Sequence, residues 1–438
     1  MKALIRAALQ AVVRLYYPVI ALEGRDRVPW SQPCLFVLNH PNGLLDPMLL
    51  RLGLGRPVRF LGKSTLFGNP LGRVTMEAFG GIPVFRHRDV GGGGGDPSRN
   101  EETFALCRAA LARGEWIALF PEGTSHSDPT MKPLKTGAAR IALSAVKEHP
   151  GELRLVPVGL FYEQKATFRS RAVLTVGDAL AARDYLDRYV ADERATVDAL
   201  TDDLRAGLDA VVLQADTREL VEGVARVAQW TLDPAAREDL TASRRRAGEM
   251  RTAWRALRER DPSRAEALLA SGRAYLAAVA ALGVRDPWAL EVERVTAGST
   301  ARATLWLAAM APLAAAGVAL GWPMYRLAGR VAGRVVRGAE DVLGTVKLLS
   351  GMLWVPVGWA VAAVALAWGA GLGGWAVAAV ALLGPAGGYA ALRWEERWEG
   401  AMEALRMARL RRERPAEVAA LAARRRALME EIEGALGG

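Results

Sequence analysis

Between Pro33 and Gly177 the chain alternates short apolar runs with amphipathic stretches. The runs Cys34 to Leu38, Val58 to Leu61, Ile82 to Phe85, Trp116 to Phe120, Leu155 to Phe161 and Val173 to Val176 predict strands. Helical spacing between them, as at Glu101 to Arg113 and Gly137 to Lys147, predicts covering helices. Apolar strands separated by helices indicate an α/β domain with a mostly parallel sheet, placed here at residues 23–190. The run Gly91 to Gly95 reads as a flexible loop.

The flanking patterns differ. In residues 1–22 apolar positions recur at helical spacing, with Arg6 and Arg14 between them. This predicts an amphipathic helix in a membrane interface, with an ordinary helix packed on the core as the alternative. Residues 191–300 are rich in Ala, Arg, Leu and Glu and carry no strand signal, so a helical domain is expected, broken near Asp233-Pro234 and Asp261-Pro262.

Residues 301–392 are apolar. Leu305 to Met324 is interrupted by Pro312 and Pro323. Leu348 to Trp368 and Trp375 to Leu392 are each long enough for a hydrocarbon core of about 30 Å, with a turn at Gly369 to Gly374. A basic helical tail, residues 393–438, follows with a break at Pro415.

Charge orients these segments. Arg326, Arg330, Arg334, Arg337 and Lys347 precede the hairpin Leu348 to Leu392, and Arg411, Arg412, Arg414 and Arg424 to Arg426 follow it. Both groups belong on the cytoplasmic side, with the α/β domain facing the cytoplasm of a cytoplasmic membrane. Leu305 to Met324 is then expected to be re-entrant or interfacial.

Composition narrows the chemistry. Lys and Arg number 57 against 47 Asp and Glu, a net +10, which favours anionic partners. No zinc-finger spacing or RNA-binding signature is present, so a phospholipid bilayer and phosphorylated small molecules are the expected partners and nucleic acid is not. Cys34 and Cys107 make no disulfide framework, and His40, His87, His126 and His149 form no close ligand pair, so no metal is expected.

Four segments carry candidate chemistry. In Asn39-His40-Pro41-Asn42-Gly43-Leu44-Leu45-Asp46-Pro47 an imidazole follows a strand. Asp46 can accept the Nδ1 proton and leave Nε2 free as a general base. In Gly80-Gly81-Ile82-Pro83-Val84-Phe85-Arg86 a strand delivers Arg86, whose guanidinium can grip a phosphate. In Phe120-Pro121-Glu122-Gly123-Thr124-Ser125 a sharp turn offers backbone N–H groups to an anion. Glu122 there can accept from a substrate hydroxyl or organise Arg86. His126 is the rival imidazole, with Asp128 as its nearest carboxylate. Leu155-Val156-Pro157-Val158-Gly159-Leu160 reads as a buried strand lining the site.

These segments, with Lys63 to Gly72, occur in the order seen in the glycerophospholipid acyltransferases, and the region Glu23 to Asp178 resembles that family. The helical and apolar regions resemble its fungal-type glycerol-3-phosphate/dihydroxyacetone-phosphate branch. The resemblance implies direct transfer of a fatty acyl group from acyl-CoA or acyl-carrier protein to a glycerol-phosphate-type hydroxyl, with no cofactor and no covalent enzyme intermediate. It implies His40 as base, Asp46 as its orienting partner, and Arg86, Glu122, Gly123 and Thr124 around the glycerol phosphate. Lys63 and Lys135 are implied at the phosphate or the acyl carrier. The family usually places four residues between His and Asp, whereas Pro41 to Leu45 make five here. Gly43 permits the longer loop to close, and the spacing reads as a feature of the fungal-type branch. The competing readings are a membrane-anchored lipid-binding protein of the same fold without turnover, and a hydrolase, which would lack its Gly-x-Ser-x-Gly elbow.

Overall fold

A computed structural model describes residues 2–68, 70–85, 97–232, 236, 238–284 and 297–436. The chain forms two compact units, Met1–Gly223 with Val335–Leu348, and Val224–Arg334 with Leu349–Gly438.

In the first unit, α1 (Lys2–Tyr16) stops two residues before Pro18, whose ring disfavours helix at the residue preceding it. The apolar stretch after the proline pairs as β1 (Val19–Glu23) at the sheet edge. The interfacial helix expected over 1–22 is therefore shorter. Its Leu9, Val13 and Tyr16 are buried in the domain, the alternative arrangement, while Leu4 and Leu15 stay exposed.

The remaining strands are β2 (Cys34–Leu38), β3 (Arg59–Lys63), β4 (Gly81–Val84), β5 (Ile117–Leu119), β6 (Arg154–Tyr162), β7 (Arg171–Val176) and β8 (Leu180–Ala181). Their order is β1-β7-β6-β2-β5-β3-β4, with β8 beside β6. Strands β2 to β6 are mutually parallel, and β7 turns back antiparallel to β6. The helices α2 (Leu45–Leu54), α3 (Pro70–Ala78), α4 (Pro97–Ala112) and α5 (Gly137–Glu148) connect the parallel strands. The predicted strands are thus present with boundaries within two residues, in a mostly parallel sheet.

Short α6 (Leu186–Ala191) leads to α7 (Glu193–Val211), which the sequence pattern assigns to a separate helical region. It belongs instead to the α/β core. Its Val197, Leu200, Leu204 and Leu208 share one buried cluster with Leu35, Ile117 and Leu155. Helical periodicity reveals the apolar face but not which unit covers it. Gly159 is explained by this packing, because a Cβ there would lie 2.1 Å from the Val211 carbonyl oxygen.

The second unit contains α8 (Arg218–Thr231, begun in the first), α9 (Leu240–Arg260), α10 (Pro262–Ala281), α11 (Ala297–Val336), α12 (Glu340–Gly369), α13 (Gly374–Glu413) and α14 (Pro415–Leu436), apart from the last two residues of α11 and the first residues of α12, through Leu348. The expected break at Asp261-Pro262 is present, with the Asp261 carboxylate capping α10 at Arg264 N, 3.0 Å away. Asp233-Pro234 lies outside the described residues. The basic tail is no separate appendage: α13 runs through Leu392 to Glu413, and α14 packs on α9 and α10.

Among the described residues, three helices, over Arg302–Val336, Glu340–Gly369 and Gly374–Glu413, are long and apolar enough to cross a membrane. Of the re-entrant or interfacial arrangements expected for Leu305 to Met324, the re-entrant turn is not formed, since α11 is one helix containing both Pro312 and Pro323. Neighbouring turns and side chains can re-satisfy the backbone groups a proline frees. Small residues allow close approach within this set: a Cβ on Gly317 would fall 1.9 Å from the Gly387 carbonyl oxygen, and one on Gly384 would meet the Trp359 ring at 2.7 Å.

Candidate active site

In a parallel sheet the loops after the strands gather at one edge. Here the C-terminal ends of the adjacent β2, β5, β3 and β4 bring His40, Glu122 and Lys63 to one edge, and β4 ends at Val84, two residues before Arg86. Arg86, His87, Arg88 and the Gly91 to Gly95 run lie outside the described residues. At a strand spacing of about 4.8 Å, β2 and β4 stand about 14 Å apart across the sheet.

His40 and Asp46 meet. His40 Nδ1 lies 2.8 Å from Asp46 Oδ2, and the Asp46 side chain is fully buried. An ionised carboxylate only accepts, so Nδ1 carries the proton and Nε2 presents its lone pair. Nε2 has no hydrogen-bond partner among the described residues, and the ring stays 12% exposed. Phe120 stacks on the imidazole with centroids 4.0 Å apart, fixing its plane.

Burying a carboxylate costs several kcal/mol unless donors surround it. Asp46 has three: His40 Nδ1–H, the Asn42 backbone N–H at 2.9 Å, and the Tyr162 hydroxyl. At about 1.5 to 3 kcal/mol each, such charged hydrogen bonds offset that cost. Asp46 also stands in the first turn of α2, where the helix dipole favours an anion. Burial, and next the Asp46 charge, push the Tyr162 phenol well above its ordinary value, so it stays a donor.

The five-residue spacer closes through its own backbone. Gly43 takes φ +53°, the left-handed region, and Asn42 turns its N–H back to Asp46. The Asn42 amide donates to Tyr17 Oη at 2.8 Å and to the Lys165 carbonyl at 3.0 Å. Asn39 pairs with both the N–H and the carbonyl of Leu160, at 2.7 and 3.2 Å, tying the loop to β6.

Glu122 turns inward. Its Oε1 accepts the His40 backbone N–H at 3.2 Å, and its Oε2 accepts the Lys132 N–H at 2.7 Å and faces His126 Nε2. Both oxygens are thus engaged by the protein, and the expected contact with Arg86 falls outside the described residues. His126 Nδ1 accepts from Asp128 N at 3.2 Å, so its Nε2 carries the proton toward Glu122 and neither nitrogen is open. The His126 N–H also donates to the His40 carbonyl at 3.1 Å.

Gly123, at φ +71°, lets Lys135 lie over the turn, since a Cβ there would sit 2.5 Å from Lys135 Nζ. Thr124 and Lys135 are exposed beside it. Lys63 ends β3 on the same edge. Tyr162, Asn42, Tyr17 and Phe120 are the participants that sequence reading misses. The end of β6 offers a signal, because Tyr162 follows a buried run on a strand beside β2.

Residues 19–160 match the model of a family described as Acyltransferase. An uncharacterized acyltransferase of Schizosaccharomyces pombe is 41% identical over 26% of this chain and 17% of its own length. Glycerol-3-phosphate O-acyltransferase 2 of Saccharomyces cerevisiae is 35% identical over 30% of this chain and 18% of its own. The chloroplastic 1-acyl-sn-glycerol-3-phosphate acyltransferase BAT2 of Brassica napus is 30% identical over 31% of this chain and 37% of its own. The chain therefore spans well under half of each of these relatives. The crystal structure of the lysophosphatidic acid acyltransferase PlsC of Thermotoga maritima covers 48% of this chain and 78% of its own at 17% identity, with a TM-score of 0.33, too low to carry an equivalence. The family match takes in β1 to β5 and β6 as far as Leu160, and with them both strand-end loops of the site.

Proposed function

We propose that this chain is an O-acyltransferase that moves a fatty acyl group from acyl-CoA or acyl-carrier protein to a hydroxyl of glycerol-3-phosphate or lysophosphatidic acid. The observation that carries this reading is the His40–Asp46 pair, with Nδ1 engaged and Nε2 open at the sheet edge. The acceptor hydroxyl gives its proton to Nε2 as its oxygen bonds to the thioester carbonyl carbon. Asp46 stabilises the resulting imidazolium. As the tetrahedral intermediate collapses the C–S bond breaks, and the imidazolium returns the proton to the departing thiolate.

Arg86, Lys63 and Lys135 supply cationic groups for the acceptor phosphate or the acyl carrier, and the Gly123-Thr124 turn supplies backbone donors. Glu122 acts through His40, by holding its backbone, and is a positioning residue. The three apolar helices support residence in a membrane, and the flanking arginines support a cytoplasmic face for the α/β domain. Purified full-length protein, given acyl-CoA and acyl-carrier-protein donors crossed with both acceptors, is expected to form a labelled ester with at least one pair. Folded protein that turns over none of them overturns the reading.

A further inference from the structure

The catalytic loop is touched by residues far outside the acyltransferase match. The first residues of α12, Glu340 onward, belong to the same compact unit as the α/β sheet. Within the spacer, their contacts include Asn42 and Gly43, where the chain turns. A Cβ on Gly43 would lie 3.4 Å from both the Asp341 carbonyl oxygen and Thr345 Oγ1, and 3.5 Å from Val342. Thr345 donates its hydroxyl to the Asn42 carbonyl at 3.4 Å. Gly344 has no room for a side chain: a Cβ would stand 2.7 Å from Asn42 Oδ1 and 2.9 Å from the Lys165 carbonyl oxygen.

The same turns reach the second loop of the site. Ser125 donates its hydroxyl to Asp341 Oδ2, and the next residue, His126, donates its N–H to the His40 carbonyl. Lys347 donates to the Ala166 carbonyl at 2.8 Å, in the β6–β7 connection that also receives Asn42. One helix start therefore touches the strand-end loops of both β2 and β5, and α12 then continues as an apolar helix to Gly369.

We infer that Asp341, Gly344 and Thr345 are positioning residues of the transferase site, and that the five-residue His40–Asp46 spacer is the ledge on which this helix seats. The inference rests on the acyl-transfer reading. Its physical basis is rigidity. Asn42 supplies one of the three donors on Asp46, so a displacement of Asn42 moves the carboxylate that orients His40. A misplacement of order 1 Å is enough to cost about 10²-fold in rate.

The test uses the full-length protein in four variants, Asp341→Ala, Ser125→Ala, their double, and Gly344→Ala, beside Val361→Ala on the exposed apolar part of the same helix. Asp341→Ala and Ser125→Ala are each expected to lower kcat about 5-fold with the acceptor KM unchanged, and the double to be no worse than either, because both remove one contact. Gly344→Ala is expected to lower kcat about 30-fold, and Val361→Ala to leave it unchanged. A readout independent of turnover is the rate at which diethyl pyrocarbonate modifies His40, expected to change in Gly344→Ala and not in Val361→Ala. Folded variants with unchanged kcat, or a double mutant whose loss is the product of the singles, overturn the inference. If the unmodified protein transfers no acyl group, the functional reading fails on its own. An unchanged His40 modification rate in Gly344→Ala then overturns the positioning claim separately.

Discussion

The loops after β2 and β5 contain the same chemical pair, an imidazole beside a buried carboxylate, and use it in opposite ways. His40 spends Nδ1 on Asp46 and keeps Nε2 open. His126 turns Nε2 to Glu122 and receives Asp128 N at Nδ1. The carboxylates differ equally. Asp46 gathers donors that fix the orientation of one imidazole, whereas Glu122 divides its oxygens among His40 N, Lys132 N and His126, joining two loops. A histidine–carboxylate contact therefore does not identify a base. The second nitrogen decides: open to the site it can take a proton, and bonded to the fold it is a strut.

Substitutions at the partners of the two imidazoles sharpen that contrast. Asp46→Asn should have the largest effect, since an amide can hold the ring with the proton on Nε2 and so remove the base. A loss of about 10³-fold in kcat is expected, with acceptor KM nearly unchanged, measured under saturating donor. A loss below 10-fold would break the distinction between the loops.

Glu122→Gln keeps the shape but replaces one acceptor oxygen with a donor, against either His40 N or the Lys132 N–H. Kinetic and thermal assays together should show about 10-fold lower kcat and a destabilisation of about 1 to 3 kcal/mol. A catalytic defect as large as that of Asp46→Asn, without any loss of stability, would mean that Glu122 touches substrate. Tyr162→Phe removes one of three donors from Asp46 and should lower kcat about 3- to 10-fold. The Tyr162 hydroxyl, its pKa raised, stays protonated across the assay range. A rate unchanged between pH 6 and 9 in Tyr162→Phe would show that the other two donors suffice.

These particulars also show what the residue pattern discloses. The parallel strands are legible because each is a short apolar run bounded by helical periodicity, and the His40–Asp46 pair because strand and loop are contiguous. The edge strand β1 escapes, since it merges with the apolar pattern of α1 and only Pro18 separates them. Membership of α7 in the core escapes because amphipathicity shows that a face is covered without showing by what. At the site, Tyr162 and the start of α12 join the His40–Asp46 loop from 116 and 303 residues away in sequence. Such contacts leave no local spacing to read. Glu122 is visible as a residue, but its backbone partners, His40 N and Lys132 N, depend on the direction its side chain takes from the turn.

The central claim is that His40, and not His126, is the base for acyl transfer. Its most direct test is the transfer rate of His40→Ala and His126→Ala, each folded and assayed beside the unmodified full-length protein with the best donor and acceptor. The account predicts a loss of at least about 10³-fold for His40→Ala and about 10-fold for His126→Ala. A His40→Ala protein that keeps a tenth of the rate, or a His126→Ala protein that loses as much as His40→Ala, would contradict it.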